Sequence, residues 1–272
     1  MKKKGMKPIM LVAIAIVLIV ALVSVVVLGG FLDNDDENAL ERIQRKGKIV
    51  VGTQVPYPPF ENLNLTTNEL EGIDIEIMYY IADKLGVQIE WKMMDFDPLF
   101  AAVQTGQLDC AISSITITEE RDEVNDFTIP YYVANQAVLV REESTIASIE
   151  DLYGKKIITQ LGTTGQYWVD ANLVDTNKID ADDHTKFADV PAAVLTVENN
   201  QQDAFVVDTP VAWKYANDTA YNLKVGFIIY TMEQYGILIP QGEPELKKAM
   251  DDAIAEMIAD GTLEEIMLRW LI

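Results

Sequence analysis

Strands and helices alternate along most of this chain, and that alternation constrains its fold more than any other feature. From residue 48, the first unit reads as strands over 49–53, 89–92 and 110–115, separated by helices over 74–85 and 98–104. A second unit repeats this order from residue 156. Strands joined by helices indicate parallel pairing with crossover connections, so the sequence predicts an α/β fold. Two such units in one chain predict two lobes with a cleft between them.

The most specific local pattern follows the strand predicted over 110–115. Small hydroxyl residues end this strand, Thr118 is placed to cap a short helix, and Arg121 lies one turn into that helix. A planar guanidinium beside free backbone N–H groups suits a carboxylate, because the guanidinium can meet both oxygens at once. An arginine near a helix start is more often a solvated surface charge, so this interpretation depends on the surrounding residues as well.

Those surrounding residues, S-S-I-T-I-T-E-E-R from Ser113 and D-F-T-I-P-Y-Y from Asp126, resemble the polar-amino-acid-binding proteins of ABC importers. The resemblance extends over about residues 47–272. It implies a two-lobed, periplasmic-binding-protein-like type II fold with a two-strand hinge, in which the lobes close around a ligand. The implied segments are lobe 1 over 48–133 and 234–272, lobe 2 over 134–233, and strand crossings near 131–135 and 231–235.

The resemblance assigns the two charged ends of an amino acid to opposite lobes. Arg121, with the strand-end hydroxyl residues Ser114 and Thr116, would hold the α-carboxylate. Asp208, in the motif D-A-F-V-V-D-T-P, would bind the α-ammonium group. A structural alternative stays open for Asp208, which could cap the helix beginning at Thr209 or serve both purposes.

Other predicted ligand-binding residues also follow predicted strands, where open α/β sheets bind ligands. By the resemblance they are Gln54, Tyr57, Phe96, Gln160, Thr163 and Thr164. The two aromatic residues could instead belong to the core, and the Gly-rich corner Q-L-G-T-T-G offers backbone N–H groups to an anion. Phe60 is expected in the core. Asp74 is expected to cap the helix over 74–85, and Gly72 to permit the turn before that helix.

Gln54 and Gln160 bear on the specificity for the ligand side chain. By the resemblance, members that bind basic side chains often have an acid at the position of Gln54, and some members have a lysine at that of Gln160. Two neutral amides therefore favour a polar, uncharged ligand side chain. Glu61 and Glu76 are close in sequence to this region and could still serve a cation.

The first 32 residues differ in character from the rest. Four lysines precede an uncharged apolar run over 9–32, which is long enough to cross a bilayer as a helix and longer than a usual signal-peptide core. The lysines predict a cytoplasmic amino terminus, with everything after the run outside. We expect a retained anchor in 1–32 and a spacer over 33–47. Cleavage after Gly29 or Gly30 is the alternative, and amino-terminal sequencing of the native protein distinguishes the two.

Charge and the rarer residues exclude several classes of function. All 43 acidic residues follow the apolar run, together with 17 of the 21 basic ones, and such a surface repels nucleic acid and anionic lipids. Cys110, the only cysteine in the sequence, lies in an apolar stretch and is expected to be buried and inert. His184, the only histidine, is expected in a surface loop, which leaves almost no material for histidine-based zinc sites or Ser-His-Asp catalysis.

The sequence therefore predicts a solute-binding subunit on the outer face of the cytoplasmic membrane, which captures a free L-amino acid and delivers it to an ABC permease. We expect a monomer with no catalytic residue, metal or cofactor. Two alternatives share the fold. A cyclohexadienyl-dehydratase-like enzyme would need only a placed acid or base, such as Glu76 or Asp208. A sensor ectodomain would need a cytoplasmic output domain, and only about eight residues precede the apolar run.

Overall fold

The computed structural model describes residues 37–271. The predicted anchor over 1–32 and the beginning of the predicted spacer lie outside the described residues, so both stay predictions. Within the described part of the chain, no helix combines the length and the apolar character needed to span a membrane.

Strands and helices alternate as expected through both halves of the described chain. In chain order the strands are β1 (Lys48–Thr53), β2 (Asn62–Asn64), β3 (Glu69–Glu71), β4 (Gln88–Met93), β5 (Cys110–Ala111), β6 (Asp126–Phe127), β7 (Tyr132–Arg141), β8 (Ile157–Gln160), β9 (His184–Phe187), β10 (Ala204–Asp208), β11 (Leu223–Tyr235) and β12 (Leu238–Ile239). The α-helices are α1 (Ala39–Lys46), α2 (Ile73–Leu85), α3 (Phe96–Gln104), α4 (Glu119–Asp122), α5 (Thr164–Val169), α6 (Val190–Glu198), α7 (Thr209–Asn217), α8 (Pro244–Asp260) and α9 (Thr262–Leu271). A π-helical turn over Asp170–Val174 continues α5.

Two five-stranded sheets organise the two lobes of this α/β fold. The first sheet has the order β4–β1–β5–β12–β6, and the second has the order β11–β7–β10–β8–β9. Within them β4, β1 and β5 are parallel, as are β10, β8 and β9, which confirms the predicted pairing. By contrast, β12 runs antiparallel to its neighbours, because the chain enters it directly from β11 of the other sheet.

The strand predicted over 110–115 is shorter than expected. Pairing in the first sheet stops after Ala111, and the chain then turns away at Ser114, which has φ 51°. This turn directs residues 113–116 toward the second sheet and so towards the predicted site.

Two long strands connect the sheets. β7 and β11 pair antiparallel, with Tyr132 opposite Tyr235 and Ala134 opposite Glu233, and their register is irregular between Ile229 and Glu233. These pairs fall within the predicted crossings. After β12, helices α8 and α9 pack against α2 beside the first sheet, as the resemblance implied. The lobe boundaries at 133/134 and 233/234 stay a prediction.

The described end of the predicted spacer is part of the folded body. Ala39 and Ile43 of α1 are fully buried in the core. The backbone N–H of Ala39 donates to Glu243 at 2.8 Å, and Arg42 pairs with Asp109 at 3.1 Å. The expectation of a mere spacer up to residue 47 was therefore wrong for α1, whose apolar positions bury against the fold.

Asp74 does not cap its helix, which corrects the sequence interpretation. It is the second residue of α2, it is fully buried, and its Oδ2 accepts a hydrogen bond from the backbone N–H of Ser114 at 2.7 Å. Gly72 occupies the position before the helix with φ 129°, which confirms the expected turn. A Cβ on Gly72 would lie 2.2 Å from the carbonyl oxygen of Phe60.

Replacing Gly72 with alanine is expected to destabilise the fold by at least about 3 kcal/mol, because the strained backbone and the clash with Phe60 add together. Gly86→Ala is the matched control, since Gly86 also has positive φ, at 71°, but a Cβ there meets nothing within 4 Å. That control should cost only about 1–2 kcal/mol of backbone strain. Urea denaturation of both variants measures the difference, and equal losses would show that the contact with Phe60 carries no cost.

His184 is buried, so its prediction as a surface-loop residue was wrong. It opens β9, and its ring lies between Asp170 and Thr159, with Nδ1 2.8 Å from Asp170 Oδ1 and Nε2 2.8 Å from Thr159 Oγ1. Burial lowers the pKa of His184, although its hydrogen bond with Asp170 opposes that shift. The ring therefore serves as a satisfied interior group. Cys110 is fully buried as expected, and burial raises the pKa of its thiol.

Candidate functional site

All ten residues predicted to bind the ligand surround one cavity. They are Gln54, Tyr57, Phe96, Ser114, Thr116, Arg121, Gln160, Thr163, Thr164 and Asp208, and Ser113 joins them. Gln54 directly follows β1, while Gln160 and Asp208 end β8 and β10. Residues distant in sequence meet here because strand ends converge at one edge of each sheet. The remaining space is about 10 Å³, room for roughly one water molecule, so the side chains must separate before anything larger enters.

Arg121 is positioned by the short helix α4. Thr118 caps this helix as predicted, since its Oγ1 accepts a hydrogen bond from the backbone N–H of Arg121 at 3.2 Å. The guanidinium donates to the carbonyl oxygens of Thr116 at 2.6 Å and of Gly162 at 3.0 Å. Since a guanidinium carries five N–H bonds, donors are left over for a ligand carboxylate.

The surroundings of Arg121 are aromatic and almost dry. Only 8% of the residue is exposed, and its guanidinium carbon lies 4.8 Å from the ring centre of Phe100 and 5.5 Å from that of Phe96. Burial lowers the pKa of Arg121, while the negative charges of Glu233 and Asp208 counteract this shift. Phe96, predicted to contact a ligand side chain, thus lines the cavity and also contacts the arginine.

Asp208 is held at the other side of the cavity. It is 7% exposed, its Oδ2 accepts a hydrogen bond from the hydroxyl of Tyr57 at 2.7 Å, and its Oδ1 accepts one from Gln136 Nε2 at 2.5 Å. In the described part of the chain Asp208 precedes α7, but its side chain makes no capping hydrogen bond to that helix. The alternative that Asp208 caps the helix beginning at Thr209 was therefore wrong. Burial and then the charge of Glu233 raise the pKa of Asp208 to about 7.

The sequence analysis missed Gln136 and Glu233. Gln136, on β7, donates from one nitrogen to Asp208 and also to Glu233 Oε1 at 3.1 Å. Glu233, on β11, accepts hydrogen bonds at Oε2 from Thr116 Oγ1 at 2.8 Å and Thr164 Oγ1 at 2.6 Å. The available signal was position alone, because Glu233 is an acid inside the predicted crossing over 231–235.

Gln54 and Gln160 face each other across the cavity and bond directly. Gln160 Nε2 donates to Gln54 Oε1, and Gln54 Nε2 donates to the carbonyl oxygen of Ala188 at 2.8 Å. Both residues are buried. This end of the cavity therefore presents amide groups without formal charge.

Ser113 and Ser114, which follow β5, form hydrogen bonds with two buried acidic residues. Ser113 Oγ donates to Glu61 Oε1 at 2.6 Å and accepts from the backbone N–H of Gln54 at 3.1 Å. The N–H of Ser114 is already taken by Asp74. Burial raises the pKa of Asp74 to about 7 and raises that of Glu61 well above its usual range. Glu61 therefore holds Ser113 in place by a buried hydrogen bond.

Glu76 lies on the outside of the fold. Its carboxylate pairs with Arg269 and accepts a hydrogen bond from Trp270 Nε1 at 2.7 Å, both residues of α9. Among the residues that line the cavity, all of them described, the one carboxylate is that of Asp208. The expectation that Glu76 could serve a ligand cation or an acid–base step is therefore wrong.

Several groups of the Gly-rich corner are already hydrogen-bonded to nearby residues of the same segment. Thr163 caps α5 by accepting from the N–H of Gln166 at 3.2 Å, and its hydroxyl donates to the carbonyl oxygen of Gln160 at 2.8 Å. The N–H of Gly162 donates to Gln166 Oε1 at 2.8 Å. This N–H thus supports the corner and is not free for an anion.

Comparison with known proteins agrees with this geometry. The sequence pattern of the bacterial extracellular solute-binding proteins, family 3, matches residues 49–272. The L-cystine-binding protein TcyJ of Escherichia coli (strain K12) is 32% identical over 239 residues, which cover 86% of this chain and 86% of that protein. A structure of an ancestral arginine-binding protein bound to arginine is 36% identical with a TM-score of 0.77, covering 83% of this chain and 99% of that chain. The ancestral amino acid-binding protein AncCDT-1, a precursor of cyclohexadienyl dehydratase, is 32% identical with a TM-score of 0.78, covering 87% and 100%.

Proposed function

This chain belongs to the bacterial extracellular solute-binding proteins of family 3, and on that premise we propose that it captures a free L-amino acid between its lobes and delivers it to an ABC permease. One observation carries the proposal. A buried cation, Arg121, and a buried anion, Asp208, line the same cavity from different elements. Opposite charges at two sides of one small site suit a zwitterion, because each charge then gains a partner.

Capture requires the lobes, proposed as 48–133 with 234–272 and as 134–233, to move apart. Side-chain hydrogen bonds that link these proposed lobes include those of Tyr57 with Asp208, of Arg121 with Gly162, and of Gln54 with Gln160. A ligand that enters an open cleft would take over several of these donors and acceptors. Its carboxylate would meet the free donors of Arg121 and its ammonium group would meet Asp208, so ligand binding would favour closure.

We propose further that the ligand side chain is polar and uncharged. The amides of Gln54 and Gln160 support this, as does the position of the acids, since Glu61 is bonded to Ser113 and Glu76 lies outside the cavity. The similar proteins are named for cystine and arginine, so the choice needs a direct test.

Isothermal titration with the common amino acids, including glutamine, L-cystine and arginine, tests both levels of the proposal. At least one amino acid should bind with one ligand per chain, and an uncharged polar one should bind most tightly. Binding of arginine or lysine above all others would overturn the side-chain class alone. If no amino acid bound, the function itself would be wrong.

We propose a binding protein without catalytic activity. The dehydratase alternative placed its acid or base at Glu76 or Asp208, and Glu76 is engaged by α9 while we propose Asp208 as the partner of the ligand ammonium group. The similar ancestral protein AncCDT-1 is itself named an amino acid-binding protein.

We also propose that the run over 9–32 retains this extracytoplasmic protein at the membrane, as a monomer beside its permease. This proposal rests on the sequence alone.

A further inference from the structure

Glu233 lies where the two sheets are joined and contacts both sides of the cavity. Its Oε2 accepts hydrogen bonds from Thr116 Oγ1 at 2.8 Å and from Thr164 Oγ1 at 2.6 Å. Thr116 follows β5 of the first sheet, and Thr164 opens α5 beside the second. Both threonines line the cavity, so Glu233 acts on the site through them.

These contacts fix which way the two hydroxyl groups point. A threonine hydroxyl has one proton, and Thr116 and Thr164 each donate that proton to Glu233. Each hydroxyl oxygen can therefore offer only lone pairs to a ligand, and Thr164 Oγ1 keeps one of its two, because it also accepts a hydrogen bond from Gln136 Nε2 at 3.4 Å. Together with the carboxylate of Asp208, this end of the cavity presents three acceptors to whatever binds there.

We propose that Glu233 is a specificity-determining positioning residue, which orients Thr116 and Thr164 as acceptors and so selects a primary ammonium group beside Asp208. A primary ammonium has three N–H bonds for these three acceptors, whereas a secondary amine has two and a hydroxyl has one. This inference rests on the proposed function and deepens it, because it states which amines the site accepts. It also revises the expected role of Thr116, whose hydroxyl proton is committed to Glu233 and is not free for the ligand carboxylate.

The charge of Glu233 acts on the same end of the site. Gln136 Nε2 donates to Glu233 and to Asp208, which holds the two carboxylates near each other. The titratable or charged groups that face Asp208 are Tyr57, Glu61, Arg121, Tyr132, Glu233 and Tyr235. Among them Glu233 follows burial as the cause that raises the pKa of Asp208 to about 7. Near that pH, part of the free protein holds a proton there, which a bound ammonium group would displace.

The test is calorimetric titration of the parent, Glu233→Gln and a control, Glu69→Gln, which neutralises an exposed acid on β3. The ligands are the tightest amino acid of the panel and its N-methyl derivative. In Glu233→Gln the new amide donates to one threonine oxygen, so affinity for the primary amine should fall about tenfold or more, as for a lost charge-assisted hydrogen bond. The affinity of Glu233→Gln for the N-methyl derivative should fall less, so this variant should prefer the primary amine less strongly than the parent does. The control Glu69→Gln should show the same preference as the parent.

Titration at pH 7 in two buffers of different ionisation enthalpy gives a second readout. The parent should release protons on binding, and Glu233→Gln should release fewer, because without the charge of Glu233 the pKa of Asp208 falls. If Glu233→Gln lost the same affinity for both ligands and released as many protons as the parent, Glu233 would be a structural residue of the crossing and the proposal would be overturned. If Glu233→Gln fails to fold, Thr164→Val should shrink the same preference and Thr164→Ser should keep it. A parent that binds no amino acid would instead refute the proposed function.

Discussion

Arg121→Ala is expected to weaken amino-acid binding by about two or more orders of magnitude, or roughly 3 kcal/mol. The ligand carboxylate would lose a planar, buried and charged partner in a site where water cannot replace it. The aromatic rings of Phe96 and Phe100 around the guanidinium make the site drier, which increases the cost of an unpaired carboxylate. Isothermal titration of the parent and the variant measures the loss.

Two further variants make the Arg121 experiment specific. Arg269→Ala removes a half-exposed arginine on α9, bonded to Glu76 outside the cavity, and should leave affinity unchanged. Arg121→Lys keeps the charge without the planar fork and should bind with intermediate affinity. Circular dichroism establishes that the variants are folded. An affinity of folded Arg121→Ala within about threefold of the parent would remove Arg121 from the binding site.

Asp208→Asn is expected to lower the affinity for amino acids sharply, while the affinity for their 2-hydroxy analogues barely changes. In the parent, an analogue without the ammonium group leaves the buried carboxyl of Asp208 without a cationic partner, so above pH 7 this group either stays charged and unpaired or takes up a proton, and both weaken binding of the analogue. The variant carries no charge there, so the gap between an amino acid and its 2-hydroxy counterpart should narrow. Competition titration with such a pair measures that gap, and Asp182→Asn, at an exposed position, is the control.

The same residue predicts how affinity depends on pH. Burial and the charge of Glu233 raise the pKa of Asp208 to about 7, so the free carboxyl takes up a proton as the pH falls below that value. Amino-acid affinity of the parent should therefore decrease from pH 8 to pH 5, and that of Asp208→Asn should change much less. Equal parent affinity for an amino acid and its 2-hydroxy analogue would exclude Asp208 as the ammonium partner.

Motif spacing and the family resemblance together indicated the residues of the candidate site, and their part in ligand binding stays a prediction. The ten predicted residues surround one cavity because strand ends of an α/β sheet converge whatever connects them. Local sequence patterns gave the wrong prediction for polar residues that the tertiary fold buries. Asp74 has the sequence position of a helix cap, yet its carboxylate bonds to Ser114, and His184 follows two acids in a polar stretch, yet Asp170 and Thr159 enclose it.

The sequence by itself determined the α/β class and the helix cap at Thr118, because these depend on periodicity and turn chemistry. Its motifs, through their resemblance to a known family, indicated that family and the proposed charged pair of Arg121 and Asp208. Only the tertiary structure decided the contacts of Glu233, on which its proposed role rests. Its placement depends on the irregular pairing of β11 with β7, which brings a residue of one crossing strand beside Thr116 and Thr164. No local pattern encodes such a contact, because the three residues are far apart in the chain and meet only when both sheets have formed and lie side by side.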